Sequence, residues 1–183
     1  MRKNIVFTLT GHDRIGIVEE VTKLLYEYGG NVETSRMARL GGEFAMLMQV
    51  SMPAEQLANL NKDIEKLASQ GYKVTTSQTE QTYAEKYSGW LPYQIEVRGA
   101  DHEGIIHQVA LYLSQRGINI EVMDTGVIPA PMSGAPLFTM KAQVAVPPAL
   151  SGQDWQTALE DVGCHLNVDI QISIASGGTK FRQ

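Results

Sequence analysis

The chain has a single cysteine, Cys164, in 183 residues. No internal disulfide framework can form, which suits a reducing compartment. Basic residues are outnumbered, fifteen Lys and Arg against twenty Asp and Glu, for a net charge of −5. That balance supplies no general phosphate-binding surface, so direct contact with nucleic acid is not expected. No apolar run reaches the ~18 residues that mark a membrane span, and no membrane partner is expected. Met1-Arg2-Lys3-Asn4 leads directly into a strand pattern without the apolar stretch of a secretory signal. The expected location is the cytoplasm.

The usual marks of catalysis and cofactor binding are missing too. Gly11 to Gly16 has the spacing of a phosphate-binding loop, but Ile17 stands where lysine is required. Cys164 is followed by His165 with no third group to orient a nucleophile–base pair. His102, Glu103 and His107 do not share a helix face as i, i+4 ligands do. No paired cysteines suggest a heavy-metal site. Aromatics make up 7% of the chain, and Phe44 and Phe138, the only ones on the third strand of each repeat, fall on the inward pattern. Base-stacking RNA recognition is thereby disfavoured. No catalytic residue, metal ligand or cofactor is expected.

What the chain does contain is a long internal repeat. Residues 11–33 and 99–121 align at an offset of 88 with nine of 23 positions identical, namely Gly11, Asp13, Gly16, Ile17, Val21, Leu25, Gly29, Asn31 and Glu33 with their partners. Phe44 to Pro53 matches Phe138 to Pro147 at an offset of 94. The offset grows because the second copy carries an insertion near Pro129 to Pro136. A period of this length predicts two domain-sized units rather than a solenoid.

Periodicity gives each unit the same order. Ile5, Phe7 and Leu9 alternate as a first strand. Asp13 is placed to cap a helix starting near Ile15, with Val18, Val21, Leu25 and Tyr28 on its 3.6-residue stripe and Gly29-Gly30 at its end. Val32 to Arg39 and Phe44 to Val50 read as a hairpin joined by Gly41-Gly42. Leu57, Leu60, Ile64 and Leu67 mark a second helix and Tyr72 to Gln78 a last strand. The second copy repeats this with Tyr93 to Arg98, a helix on Ile106, Val109 and Leu113, strands at Asn119 to Ile128 and Leu137 to Val146, a helix through Trp155, Leu159 and Val162, and a strand from Val168 to Ile174. The order βαββαβ predicts an α+β class: two ferredoxin-like domains in tandem, each an antiparallel four-stranded sheet with two helices on one face. Expected bounds are 1–79 and 92–175, with a polar linker at 80–91 and a mobile tail at 176–183. Leu47, Met123 and Leu137 are expected on the sheet faces away from the helices. Those faces would then be partly apolar and would suit packing between copies or between chains, homodimers included.

The repeated loop is the candidate site. Gly-x-Asp-x-x-Gly-Ile between a strand and a helix presents backbone N–H groups at a helix N-terminus, which favours a carboxylate. Asp13 and Asp101 add an acceptor suited to an ammonium, and Gly16 and Gly104 let a ligand approach closely. Together they would hold an α-amino acid. The competing account makes Asp13 and Asp101 simple N-caps and the glycines packing residues.

Leu9-Thr10-Gly11-His12-Asp13-Arg14-Ile15-Gly16-Ile17-Val18, followed by Gly29-Gly30-Asn31-Val32, is similar to the opening of an ACT domain. The resemblance extends to both copies. Two such domains in tandem with nothing appended resemble the glycine cleavage system transcriptional repressor family. This resemblance implies a non-enzymatic regulator that senses a small amino acid, glycine being favoured, and represses transcription by contacting a separate DNA-binding activator. It also implies ligand-binding positions at Gly11, Asp13, Gly16, Ile17 and Asn31, and at Gly99, Asp101, Gly104, Ile105 and Asn119. The second copy departs from the first with Ala100 for His12, Glu103 for Ile15 and Ile118 for Gly30. The added charge of Glu103 would repel a carboxylate, so the first loop is the expected working site. The Pro-rich segment 129–136 reads as a long hairpin loop or as a docking surface for a protein partner. The alternatives to a sensor are a ligand-independent interaction module and, more distantly, a small enzyme of amino-acid metabolism.

Overall fold

A computed structural model describes residues 1–79, 87–130 and 134–175. It divides into two compact units, Met1–Tyr83 and Ala84–Gln183. Residues 80–86 of the expected linker, 131–133 of the Pro-rich segment and the expected tail 176–183 lie outside the described residues. The first unit contains β1 (Arg2–His12), α1 (Ile17–Glu27), β2 (Asn31–Leu40), β3 (Glu43–Pro53), α2 (Leu57–Ser69) and β4 (Lys73–Gln78). The second contains β5 (Leu91–Ala100), α3 (Ile105–Gln115), β6 (Asn119–Pro129), β7 (Pro136–Val146), α4 (Trp155–His165) and β8 (Val168–Ile174). The sheets run β2-β3-β1-β4 and β6-β7-β5-β8, and every pairing is antiparallel. Both units have the ferredoxin-like arrangement expected from the repeat.

Each core forms where the inward side chains of a sheet meet the stripes of its helices. In the first unit Ile5, Phe7 and Leu9 pack with Val21 and Leu25 of α1, Leu60 and Leu67 of α2, and Met46, Met48 and Met52 of β3. The second core replaces the methionines at 48 and 52 with Ala142 and Val146 and adds Trp155. Fully burying one such large apolar side chain contributes about 1.5–3 kcal/mol. The first core is therefore built on a more deformable set of side chains than the second.

Three local expectations change. The first helix begins later than expected, at Ile17, because Gly16 (φ 90°) takes the left-handed conformation at the N-cap, and Gly104 (φ 95°) does the same before Ile105. The inward stripe consequently starts on Ile17 and Ile105, both buried, and leaves Val18 and Ile106 substantially exposed. Asp13 does not cap the helix; neither first helix has a side-chain capping hydrogen bond. The third change is Met123. A β-bulge between Ile120 and Val122 puts an extra residue, Glu121, in the edge strand. The side-chain alternation then resets, so Met123 packs on the core instead of facing away from the helices. The same irregularity falls at Glu33 in β2. Leu47 does face outward and is exposed.

The insertion elongates one hairpin. In the first unit Leu40 pairs with Glu43 and only Gly41-Gly42 turns the chain. In the second, Ile128 pairs with Leu137 and the ladder continues to Pro129 and Pro136. Ala130 N–H then donates to the Ala135 carbonyl at 2.8 Å.

Candidate functional site

The two repeated loops have matching backbone ties. Asp13 N–H donates to the Gly42 carbonyl (2.9 Å), and Asp101 N–H to the Pro136 carbonyl (3.3 Å), so each loop is fastened to the neighbouring hairpin. The Gly16 and Gly104 carbonyls accept the first helical bonds from Glu20 and Gln108, each at 2.9 Å. A side chain at Gly16 or Gly104 would meet open space, but the positive φ would strain it. These two glycines thus shape the start of the helix and leave room beside it.

The other glycines have a different reason to be there. A Cβ on Gly11 would lie 2.5 Å from the Tyr72 ring, and one on Gly99 would lie 2.5 Å from Val168 Cγ1 and 2.9 Å from its Cα. Both spaces are taken by residues at the entry to the last strand, Tyr72 just before β4 and Val168 at the start of β8, and are not openings for a ligand. Ile17 and Ile105 are core residues, 2% and 1% exposed. Asn31 and Asn119 lie at the far end of their sheets. Asn31 pairs with Ser51, which pairs with Asn4, seven residues before Gly11. At ~3.3 Å per strand residue this is about 20 Å from the loop. Within one unit, then, Asp13 and Gly16 share a loop with Gly11, while Asn31 stands apart; the second unit repeats the arrangement.

The acidic side chains differ in their surroundings. Asp13 Oδ2 lies 3.8 Å from Arg39 Nε. Val127 takes the position of Arg39 in the second copy, and among the described residues Asp101 has no side-chain ion pair or hydrogen bond. The first turn of α1 carries Glu19 and Glu20, whereas that of α3 has no acidic residue. Glu103 is therefore not the only negative charge near these helix starts.

A second difference lies at the residue after each aspartate. Arg14 pairs with Glu20, donates to Gln70 Oε1 at 3.0 Å and stacks 5.6 Å over the Tyr72 ring. The Glu20 hydrogen bond is the main cause that raises the Arg14 pKa and, reciprocally, lowers that of Glu20. At the equivalent place His102 Nε2 is 2.7 Å from the Leu166 carbonyl and Nδ1 is 3.0 Å from that of Glu103. These two carbonyls, Leu166 first, raise the pKa of His102, because both ring nitrogens face acceptors. Gln70 and Leu166 are the C-caps of α2 and α4. Each loop is thus fastened to the end of the second helix by a cationic or titratable side chain. Position 14/102 is not among the identical positions of the repeat, and its reach to a helix end some 60 residues later is a property of the fold.

Cys164 is exposed, and His165 Nδ1 lies 2.7 Å from the Asp161 carbonyl of its own helix. Among the described residues no cluster of three His, Cys, Asp or Glu is arranged to hold a metal ion. No helix there is long and apolar enough to cross a membrane.

Tandem antiparallel βαββαβ units with a glycine-shaped loop at each first helix define a class of small α+β modules. The ACT domain family model matches residues 3–75. A UPF0237 protein from Methanococcus maripaludis is 36% identical over 75 residues, which are 39% of this chain and 83% of that relative. The crystal structure of an unknown protein from Galdieria sulphuraria superposes with a TM-score of 0.84 at 34% identity, over 96% of this chain and all of the other. The chain belongs to the ACT-domain family. It is also 45% identical to the glycine cleavage system transcriptional repressor of Escherichia coli over 47 residues, 26% of this chain and 25% of that protein.

Proposed function

We propose that this chain is a non-enzymatic regulator that responds to a small amino acid and represses transcription of the glycine cleavage system through contact with a DNA-binding activator. Glycine is the favoured effector, on the strength of the similarity to the Escherichia coli repressor. The observation that carries the sensor reading is the repeated loop. Asp13 and Asp101 sit beside helix starts that neither of them caps; Asp13 has a 3.8 Å ion pair with Arg39, and among the described residues the Asp101 side chain has no ion pair or hydrogen bond. First-turn N–H groups would receive the ligand carboxylate and the aspartate its ammonium.

Regulation requires that the ligand bind two arrangements of the protein unequally. A coupling of about 1–3 kcal/mol would change activator affinity roughly 5–150-fold. The direction favoured by the family resemblance is release of the activator when glycine is abundant. Capture of the purified activator with and without glycine tests it; unchanged capture would remove glycine as the effector.

Thermal unfolding against a panel of amino acids tests ligand binding itself. A ligand at ~100 times its Kd stabilises its site by about 2.7 kcal/mol. With the first loop as the working site, that shift should disappear in Asp13→Ala and persist in Asp101→Ala. A flat response to the whole panel favours the ligand-independent interaction module, a reading that Gly11, Gly99, Ile17 and Ile105 already support because packing alone accounts for them.

A further inference from the structure

Gly126 is a glycine that its own strand does not explain. Gly11 and Gly99 lie tight beneath the entry to a last strand, but a Cβ on Gly126 would meet nothing nearer than Thr139 Oγ1 at 3.7 Å. Its φ is not positive, so the backbone does not demand glycine either. Glycine weakens a strand interior and often marks a place where a ligand or another backbone comes close. Here the missing side chain opens a hollow of about 440 Å³ on the outer face of the second sheet, away from its helices. That volume is within the range of small-molecule sites.

The lining has a charged end and an apolar end. Asp124, Gly126 and Ile128 of β6 pair with Lys141, Thr139 and Leu137 of β7, and all six border the hollow together with Arg98 of β5. At ~3.3 Å per strand residue, Ile128 is about 13 Å from Asp124, with Gly126 midway. Both cations at the charged end are already engaged. Glu96, beside the hollow, is 3.1 Å from Arg98 Nη2 and 3.4 Å from Lys141 Nζ. Lys141 is thereby drawn toward β5, and Asp124, opposite it on β6, makes no ion pair or hydrogen bond among the described residues. On the β8 side Asp169 stands opposite Arg98 and accepts from Gln171 at 3.0 Å. Three carboxylates, Glu96, Asp124 and Asp169, thus face two cations. The Thr139 hydroxyl donates to the Gly126 carbonyl at 3.2 Å, which leaves its oxygen as an acceptor. A carboxylate entering here would find no free cation, whereas an ammonium would find Asp124.

We propose that this hollow binds an aliphatic primary amine in its charged form, with the ammonium on Asp124, the chain across Gly126 and the tail between Ile128 and Leu137. The first sheet could not take the same ligand. It has Arg36 for Asp124, Thr8 for Glu96 and, in the matching register, Lys73 for Asp169, with Ala38 for Gly126. Two of the three carboxylates are replaced by cations, which would repel an ammonium. The site therefore belongs to the second unit alone. It is separate from the repeated loops and does not depend on their binding a ligand.

Titration of the isotope-labelled full chain with n-hexylammonium chloride at constant ionic strength, read by amide NMR shifts, tests the proposal. The expected result is saturable shifts at residues 124–128 and 137–141, retained in Asp13→Ala. Asp124→Asn should weaken binding roughly 5- to 20-fold, the effect of losing one charge-assisted hydrogen bond. Hexanol and hexanoate, which lack the cation, should lose at least as much at these residues, and so should L-leucine, whose carboxylate meets no free cation. Gly126→Val should abolish binding and raise the melting temperature of the unliganded chain, because a β-branched residue suits a strand position with room for it. Absent or unsaturable shifts overturn the proposal, as do shifts that survive Gly126→Val or equal binding of hexanol. A lower melting temperature in Gly126→Val would also overturn it, by showing that the fold itself needs the glycine. Tighter binding of Nα-acetyl-lysine N-methylamide than of hexylammonium would assign the hollow to a lysine of a protein partner and overturn the free amine.

Discussion

The loops after β1 and β5 follow one backbone course with different fastenings. Both start with a glycine under the last strand and end with a left-handed glycine at the helix N-cap. Both reach the C-cap of the second helix through the side chain after the aspartate. In the first unit that side chain is Arg14, held by Glu20 and Gln70; in the second it is His102, held by two carbonyls. A guanidinium keeps its charge across the physiological range, whereas an imidazole changes charge within it. One scaffold therefore carries a permanent fastening and a titratable one.

The largest effects should come from equivalent core positions. Leu25 and Leu113 are both fully buried on the corresponding helices, and truncating either to alanine should cost about 2–5 kcal/mol. Leu113→Ala is expected at the upper end and Leu25→Ala at the lower, because Met46, Met48 and Met52 in the first core can shift toward a void. Urea unfolding followed by a probe in each unit would measure the difference, and equal losses would discard the idea that the cores differ in plasticity.

Next come the glycines beneath the last strands. Gly99→Ala meets the Val168 backbone, while Gly11→Ala meets chiefly a tyrosine ring. The former should cost about 1–3 kcal/mol, as overpacking does, and the latter less, since the Tyr72 ring can rotate. The Tyr72 hydroxyl donates to the His12 carbonyl at 3.0 Å, so Gly11→Ala should also loosen that bond. Equal destabilisation of the two units would contradict this ordering.

Smaller still is the pH response. The His102 pKa is raised in the folded protein by Leu166 and Glu103. Its contribution to stability is therefore fully present below the ordinary histidine value and is lost as pH rises through the raised one. Amide protection at residues 101–104, taken relative to the intrinsic exchange rate, should fall over that window and stay level at 13–16. Arg14→His should transfer the dependence to the first loop, and His102→Ala should remove it from the second. An unaltered exchange profile in His102→Ala would show that the imidazole does not fasten the loop. At the acid end the order inverts: the Glu20 pKa is lowered by Arg14, so the first loop's fastening persists above the ordinary glutamate value and weakens as pH falls through the depressed one.

Much of this architecture is legible in the sequence because two copies report on each other. Alternation at Ile5, Phe7 and Leu9 and the stripe through Leu60, Ile64 and Leu67 fix strands and helices from local periodicity alone. What local periodicity misses is set by distant partners or by a single irregular residue. The helix start moves to Ile17 because a left-handed glycine precedes it, and a composition pattern does not reveal φ. Met123 turns inward because one extra residue in the edge strand inverts the alternation beyond it. The need for glycine at 11 arises from Tyr72, 61 positions away in sequence and in contact only after folding. Of the candidate site, the loop and its aspartates were readable. The fastenings at Gln70 and Leu166 were not, since each needs a loop and a helix end brought together from separate parts of a unit.

The bulges at Glu33 and Glu121 carry an historical implication. They occupy the same place in the repeat and interrupt the same edge strand. Duplication of a single module that already contained this irregularity would leave it, and the inverted alternation beyond it, in both copies. Outer-face residues past the bulge can differ between the copies without touching either core. Arg36, Ala38 and Leu40 in one copy and Asp124, Gly126 and Ile128 in the other differ in this way.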